Sequence, residues 1–173
     1  MSDQSPTPNE NPEGAQFALQ RIYVKDASFE SPRSPGCFVD QWKPKVNLDL
    51  NTRHNQLDGD VFEVVLHVTI TTRNEADEVM YLAEVQQAGI FLIKGLEVEA
   101  LSQTLGSFCP SVLFPYVREA IDSMVLKASF PPLMLAPVNF DAIYEQSRRQ
   151  REEQLQQQSD PAPVLNQCLS ESC

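Results

Sequence analysis

The hydrophobic period of this chain changes once, near Gly95, and that change restricts the architecture more than any other feature. Upstream of it, Val46, Leu48 and Leu50 alternate with Lys45, Asn47, Asp49 and Asn51, and Phe62, Val64, Leu66, Val68 and Ile70 alternate through the next segment. A period of two puts successive side chains on opposite sides of a strand. Asp58-Gly59-Asp60 and Arg73-Asn74-Glu75-Ala76-Asp77 read as the turns around the second of these strands, and Ile22 to Phe29 and Met80 to Ile93 supply two more. Downstream, Leu113, Val117, Ile121, Met124 and Val125 fall on one stripe of a helix from Pro110 to Ala128, with Arg118, Asp122 and Lys127 off the stripe. Pro115 then belongs near the first turn, where a missing N–H costs least. Pro131, Pro132 and Pro137 stop the helical pattern, and Asn139 reads as the N-cap of a final helix running from Phe140 towards Gln157. The expected fold is α+β: a four-stranded antiparallel sheet with one longer crossing through Pro32 to Pro44, followed by two main helices.

The two ends have little to bury. Residues 1–16 are read as a disordered arm, 17–150 as the folded domain and 151–173 as a polar flexible tail. Lys plus Arg number 13 against 24 Asp plus Glu, a formal charge of −11, which argues against phosphate-bearing partners such as nucleic acid and anionic membrane. No basic, then apolar, leader opens the chain, so the protein is expected in the cytoplasm. The uncharged run from Ala100 to Val117 is too polar and too broken by proline to be a membrane span.

Reactive chemistry finds no footing in the residues. Cys37, Cys109, Cys168 and Cys173 include no Cys-x-x-Cys pair, and His54 and His67 do not complete a metal spacing, so no metal and no cofactor is expected. The thiols are read as reduced, Cys109 buried and the two tail cysteines exposed. There is no phosphate-cradling glycine loop and no nucleophile with a histidine partner. Asp58 and Asp60 flank a turn glycine and are read as turn residues. No catalytic residue is assigned.

Four segments carry a resemblance. Gln20-Arg21-Ile22-Tyr23-Val24-Lys25-Asp26-Ala27-Ser28-Phe29-Glu30, Leu82 to Phe91, Leu113 to Glu119 and Leu135 to Ala142 closely resemble, in the same order, segments of SecB, a bacterial chaperone family that holds unfinished secretory proteins unfolded for export. The resemblance covers about Leu19 to Tyr144 and implies the same α+β fold, assembled as a dimer of dimers. It implies that the strand from Met80 to Phe91 and the helix from Pro110 to Ala128 form the subunit interface, with Val85, Val117, Ile121 and Met124 in it. The chain departs from the family pattern in its longer polar ends and in Ala83, between Leu82 and Glu84.

Two working surfaces follow. Asp26 and Glu30, four apart in one strand, project from one face, and Leu82 and Glu84 stand in the same relation to each other. At matching positions the family presents an acidic sheet face to the translocation ATPase SecA. Phe38 and Trp42 in the crossing loop, Val46, Leu48 and Leu50 on the second strand, and Phe140, Ile143 and Tyr144 on the last helix match the family's groove for unfolded precursor proteins. Leu48 and Phe140 read equally well as core. Two other functions fit the same residues: a chaperone of this type dedicated to an antitoxin, and an interaction module whose acidic sheet binds one fixed partner.

Overall fold

The computed structural model describes residues 14–39 and 41–159, and of residues 157–159 the backbone only. Four strands, β1 (Gln16–Glu30), β2 (Lys45–Asp58), β3 (Val61–Arg73) and β4 (Val79–Lys94), form one antiparallel sheet in the order β1-β4-β3-β2. The alternation upstream of Gly95 becomes the two sides of this sheet. Val64, Leu66, Val68, Ile70 and Thr72 of β3 and Tyr81, Ala83, Val85 and Phe91 of β4 are fully buried on one side. The first and second strands lie at opposite edges, so the loop between them crosses the sheet, as the prolines in it suggest.

A helical run covers the buried side. It starts at Val98, earlier than the sequence pattern indicates, as α1 (Val98–Gln103), a π turn (Thr104–Phe108) and α2 (Cys109–Lys127). Pro115 is therefore in a helix interior, not near a first turn. The π turn sits immediately before Pro110, where the Cys109 N–H reaches back five residues to the Thr104 carbonyl. Proline cannot donate to the carbonyl four residues earlier, and a widened turn at that point accommodates the break. The expected stripe holds: Leu113, Val117, Ile121 and Val125 are fully buried against the sheet. Phe114 extends it toward α3 (Phe140–Ser159), its ring meeting Phe140 edge to face at 5.7 Å.

The chain between α2 and α3 is fastened rather than loose. The Asp122 carboxylate accepts from the Leu133 and Met134 N–H groups, both at 3.2 Å. Asn139 caps α3 as its position suggests, its side-chain oxygen accepting from the Ala142 N–H at 3.1 Å. The boundary expected at 150/151 falls inside α3, which continues to Ser159. The expected disordered arm ends where β1 begins, at Gln16; its first thirteen residues and the last fourteen of the tail, with Cys168 and Cys173, lie outside the described residues. No helix among those described is long and apolar enough to cross a membrane.

The residues expected at a subunit interface lie in the interior of the single chain. Val85, Val117 and Ile121 are fully buried within the single chain, between β4 and α2, and Met124 is half-buried against the same core. β4 is an interior strand paired on both sides, so it has no edge to offer a partner. Their apolar side chains belong to this chain's own core; the apolar residues left exposed include Phe17, Leu19 and Val24 on β1 and Tyr116 and Leu126 on α2.

Candidate docking face and client groove

The uncovered side of the sheet collects the acidic residues. Cross-strand partners share a side, and the register pairs Asp26 with Gln86, Ser28 with Glu84 and Glu30 with Leu82. A bulge between Val24 and Asp26 resets the alternation of β1, and Asp26, Ser28 and Glu30 all follow it. Asp26, Glu30, Leu82 and Glu84 thus stand on one side of two neighbouring strands. Thr69 and Thr71 of β3 continue the row beyond Glu84 and Leu82, and Asp49 and Asn47 of β2 complete it. Leu82 is the apolar residue in this otherwise polar row.

Two polar contacts organise this face. The Lys25 ammonium, on the bulge, donates to both Glu63 oxygens at 2.9 and 3.0 Å, and the Tyr23 hydroxyl donates to the same carboxylate. The Tyr23 hydrogen bond, then Lys25, hold the Glu63 carboxyl below its ordinary value, while the bond to Glu63 and burial push the Tyr23 phenol up to about 12. A carboxylate depressed on folding adds stability above its unfolded value, about 4.3, which is lost as pH falls through the folded value. Glu63→Gln should therefore flatten the loss of melting temperature between about pH 5 and 3 relative to the parent chain. Parallel melting profiles would remove Glu63 from the acid response. The second contact joins His67 Nε2 and Glu84 Oε1 at 2.5 Å.

The apolar track lies on the other side of the same sheet. Val46, Leu48 and Leu50 pair with Thr72, Ile70 and Val68, all on the helix-facing side. At one end, Phe38 and Trp42 lean on Phe130 with ring centroids at 5.1 and 5.6 Å, beside a cavity of about 150 Å³. At the other end, Leu50, Phe140, Ile143 and Tyr144 line a cavity of about 340 Å³ between β2 and α3. Val46 is exposed, whereas Leu48 and Leu50 pack partly against the core. Phe140 is buried and its ring is spent on Phe114, so it supports the groove from beneath.

The groove wall depends on residues the sequence reading passed over. One edge of the Tyr144 ring closes on Gly106, where a methyl group would sit 2.5 Å from Cδ2 and 2.7 Å from Cε2. Its hydroxyl donates to Ser102 Oγ at 2.9 Å. Ser107 donates to the Asp141 carboxylate and Arg148 to Glu99 at 3.2 Å, so α3 is held to the run before α2 largely by polar contacts. A lone glycine in a helical stretch was the available signal for this close approach. Phe130, which also meets Tyr81 at 4.8 Å, sat between a serine and two prolines and gave none.

Among the described residues no three His, Cys, Asp or Glu side chains converge on a metal position. Cys109 is buried as expected, and burial pushes its thiol up to about 12, which keeps it protonated and unreactive. Cys37 is buried as well.

The family model described as preprotein translocase subunit SecB matches residues 10–151. The chain belongs to the SecB family. A protein-export protein SecB of Pseudomonas savastanoi pv. phaseolicola is 61% identical over 140 residues, covering 81% of this chain and 86% of that one. That of Stutzerimonas stutzeri is 62% identical over 138 residues, covering 80% and 84%, and that of Pseudomonas paraeruginosa 56% over 146 residues, covering 84% and 90%. The SecB fold is also evident in a solved SecB-like chaperone of Mycobacterium tuberculosis, in complex with a peptide from an antitoxin. It has a TM-score of 0.59 and 19% identity, covering 70% of this chain and 90% of that one. SecB proteins are chaperones and not enzymes.

Proposed function

We propose that this SecB-family chain holds unfolded precursor proteins in the cytosol without ATP and passes them to SecA, using opposite sides of one sheet for the two tasks. The observation that carries the reading is the separation itself. Asp26, Glu30, Leu82 and Glu84 share the uncovered side, while Leu48 and Leu50 lead along the covered side into the cavity at Ile143 and Tyr144. A chain carrying −11 and an acidic row suits a basic docking partner. The high identity to export proteins favours secretory clients over a dedicated antitoxin.

Holding without ATP is an equilibrium matter. Burying one client Leu or Phe side chain contributes roughly 1.5–3 kcal/mol, and ordering the client offsets much of it. Single contacts are weak, and several grooves on one long client give tight but reversible capture. A dimer of dimers supplies that multiplicity. Its contacts are best placed on the apolar groups left exposed, Phe17, Leu19 and Val24 on the edge strand β1 and Tyr116 and Leu126 on α2, of which Val24 is 52% and Leu126 55% exposed.

One comparison tests the division of labour. Asp26→Lys or Glu84→Lys should weaken SecA binding by about three- to thirtyfold, an effect that shrinks at high salt, and leave aggregation suppression unchanged. Leu50→Ser with Ile143→Ser should do the reverse; Tyr144 is a poorer probe because it anchors α3. Both activities are measured on the same preparation of each variant. Joint loss in a folded assembly would mean one shared site, and unchanged client holding in the double variant would return Leu50 and Ile143 to the core.

A further inference from the structure

Glu84 does not stand alone on the acidic face. His67, on β3, is the one histidine on that side among the described residues, since His54 pairs with Val64 on the helix-facing side. Its Nε2 lies 2.5 Å from Glu84 Oε1, and the two side chains are 25% and 31% exposed, so solvent and partner can both reach the pair. Among the described residues, everything else facing the imidazole is on the strands beside it, because none of their elements packs over this side. β4 contributes Gln86 directly opposite and Glu84; β2 contributes Asn51 opposite, with Asp49 and Arg53 to either side; β3 itself contributes Glu63, engaged by Lys25; Asp26 of β1 lies beyond Gln86. Glu84 touches the imidazole, while Asp49 stands at a diagonal register position and Asp26 one strand beyond Gln86 on the same side of the sheet.

We propose that His67 is a positioning residue of the docking face: it fixes the Glu84 carboxylate through Nε2–H and, when protonated, cancels its charge, so that docking to a basic partner weakens in mild acid. This rests on the docking reading above. The imidazole donates from Nε2 whether neutral, in the tautomer protonated there, or charged, so the geometry persists while the charge changes. With a neutral ring the pair carries one negative charge for the partner to meet. With a protonated ring the pair carries none, and a lysine or arginine of the partner meets a carboxylate already satisfied. Histidine is the side chain that makes this change between about pH 5 and 8. The acidic row is then not a constant field. It is stronger with the ring neutral than with the ring protonated.

The test is SecA affinity of the full-length assembly between about pH 6 and 8 for three chains. The parent should bind about two- to fivefold more weakly at the acid end than His67→Gln, whose amide can still donate to Glu84 but cannot titrate. At the alkaline end the two should agree. His67→Arg, a permanent cation, should match the parent's acid value throughout. Because SecA titrates too, the difference between parent and His67→Gln is the quantity read. Parallel profiles for these two overturn the proposal while leaving docking intact. Absence of SecA binding by the parent at every pH overturns the docking reading and this proposal with it.

Discussion

Val85→Asp destroys the fold of the single chain. Val85 is fully buried on the helix-facing side of β4, opposite Val68 on one neighbour and Ala27 on the other. An aspartate there leaves a carboxylate with no cation in a dry layer, at a cost of about 3–5 kcal/mol or more. Domains of this size are stable by only about 5–15 kcal/mol. The expected outcome is insoluble protein or a chain with no cooperative melt, whereas Val85→Ala, losing about 2 kcal/mol of burial, stays folded with a lower melting temperature. Circular dichroism melts with a mass measurement decide it. A soluble, cooperatively melting chain of reduced assembly size would put Val85 back at a subunit contact.

Gly106→Ala strikes the groove wall and leaves the sheet alone. Its methyl would enter the Tyr144 ring at 2.5 Å, and the ring is also tied through its hydroxyl to Ser102. Overpacking of this kind costs about 1–3 kcal/mol. The strain falls on α3, whose remaining ties to this region include the bond from Ser107 to Asp141 and the ion pair of Arg148 with Glu99. Amide exchange in α3 should accelerate about tenfold to a hundredfold while β3 and β4 keep their protection. Client holding should fall in parallel, as Tyr144 is part of the cavity at Leu50. Unchanged exchange in α3 would show that the helix yields without cost.

What could be read from the sequence was whatever repeats with a period. The alternation of β2 and β3, the stripe of α2 and the N-cap at Asn139 are local patterns, and each appears in place. The four acidic-face residues were legible for the same reason, since Asp26 and Glu30 both follow the bulge at Lys25 and keep their parity. What escaped depends on distance in space. Burial of Val117 and Ile121 looks the same in sequence whether a sheet or a second subunit covers them; only the order β1-β4-β3-β2 and the packing of α2 on it make them core. Pro115 was misplaced because the helix was started at Pro110, although the helical run begins twelve residues earlier, at Val98. His67 and Gly106 act through partners 17 and 38 residues away, Glu84 and Tyr144, and no spacing rule links such positions.

The placement of the first and second strands at opposite edges has a consequence during synthesis. β1 pairs only with β4, so the Gln16 end of the chain meets its partner when Lys94 has been made. Until then β2 and β3 can form a hairpin, but the N-terminal strand has no place to join, and contacts this remote in sequence form late because the intervening loop must first close. A nascent chain halted before β4 is therefore itself an exposed, strand-rich polypeptide of the sort that aggregates. Addition of β4 brings Asp26 and Glu30 beside Leu82 and Glu84 and lays the floor on which α2 packs. The sheet remains open for about half of the chain's own translation, and the groove that Ile143 and Tyr144 line can close only after α3 has followed the final strand.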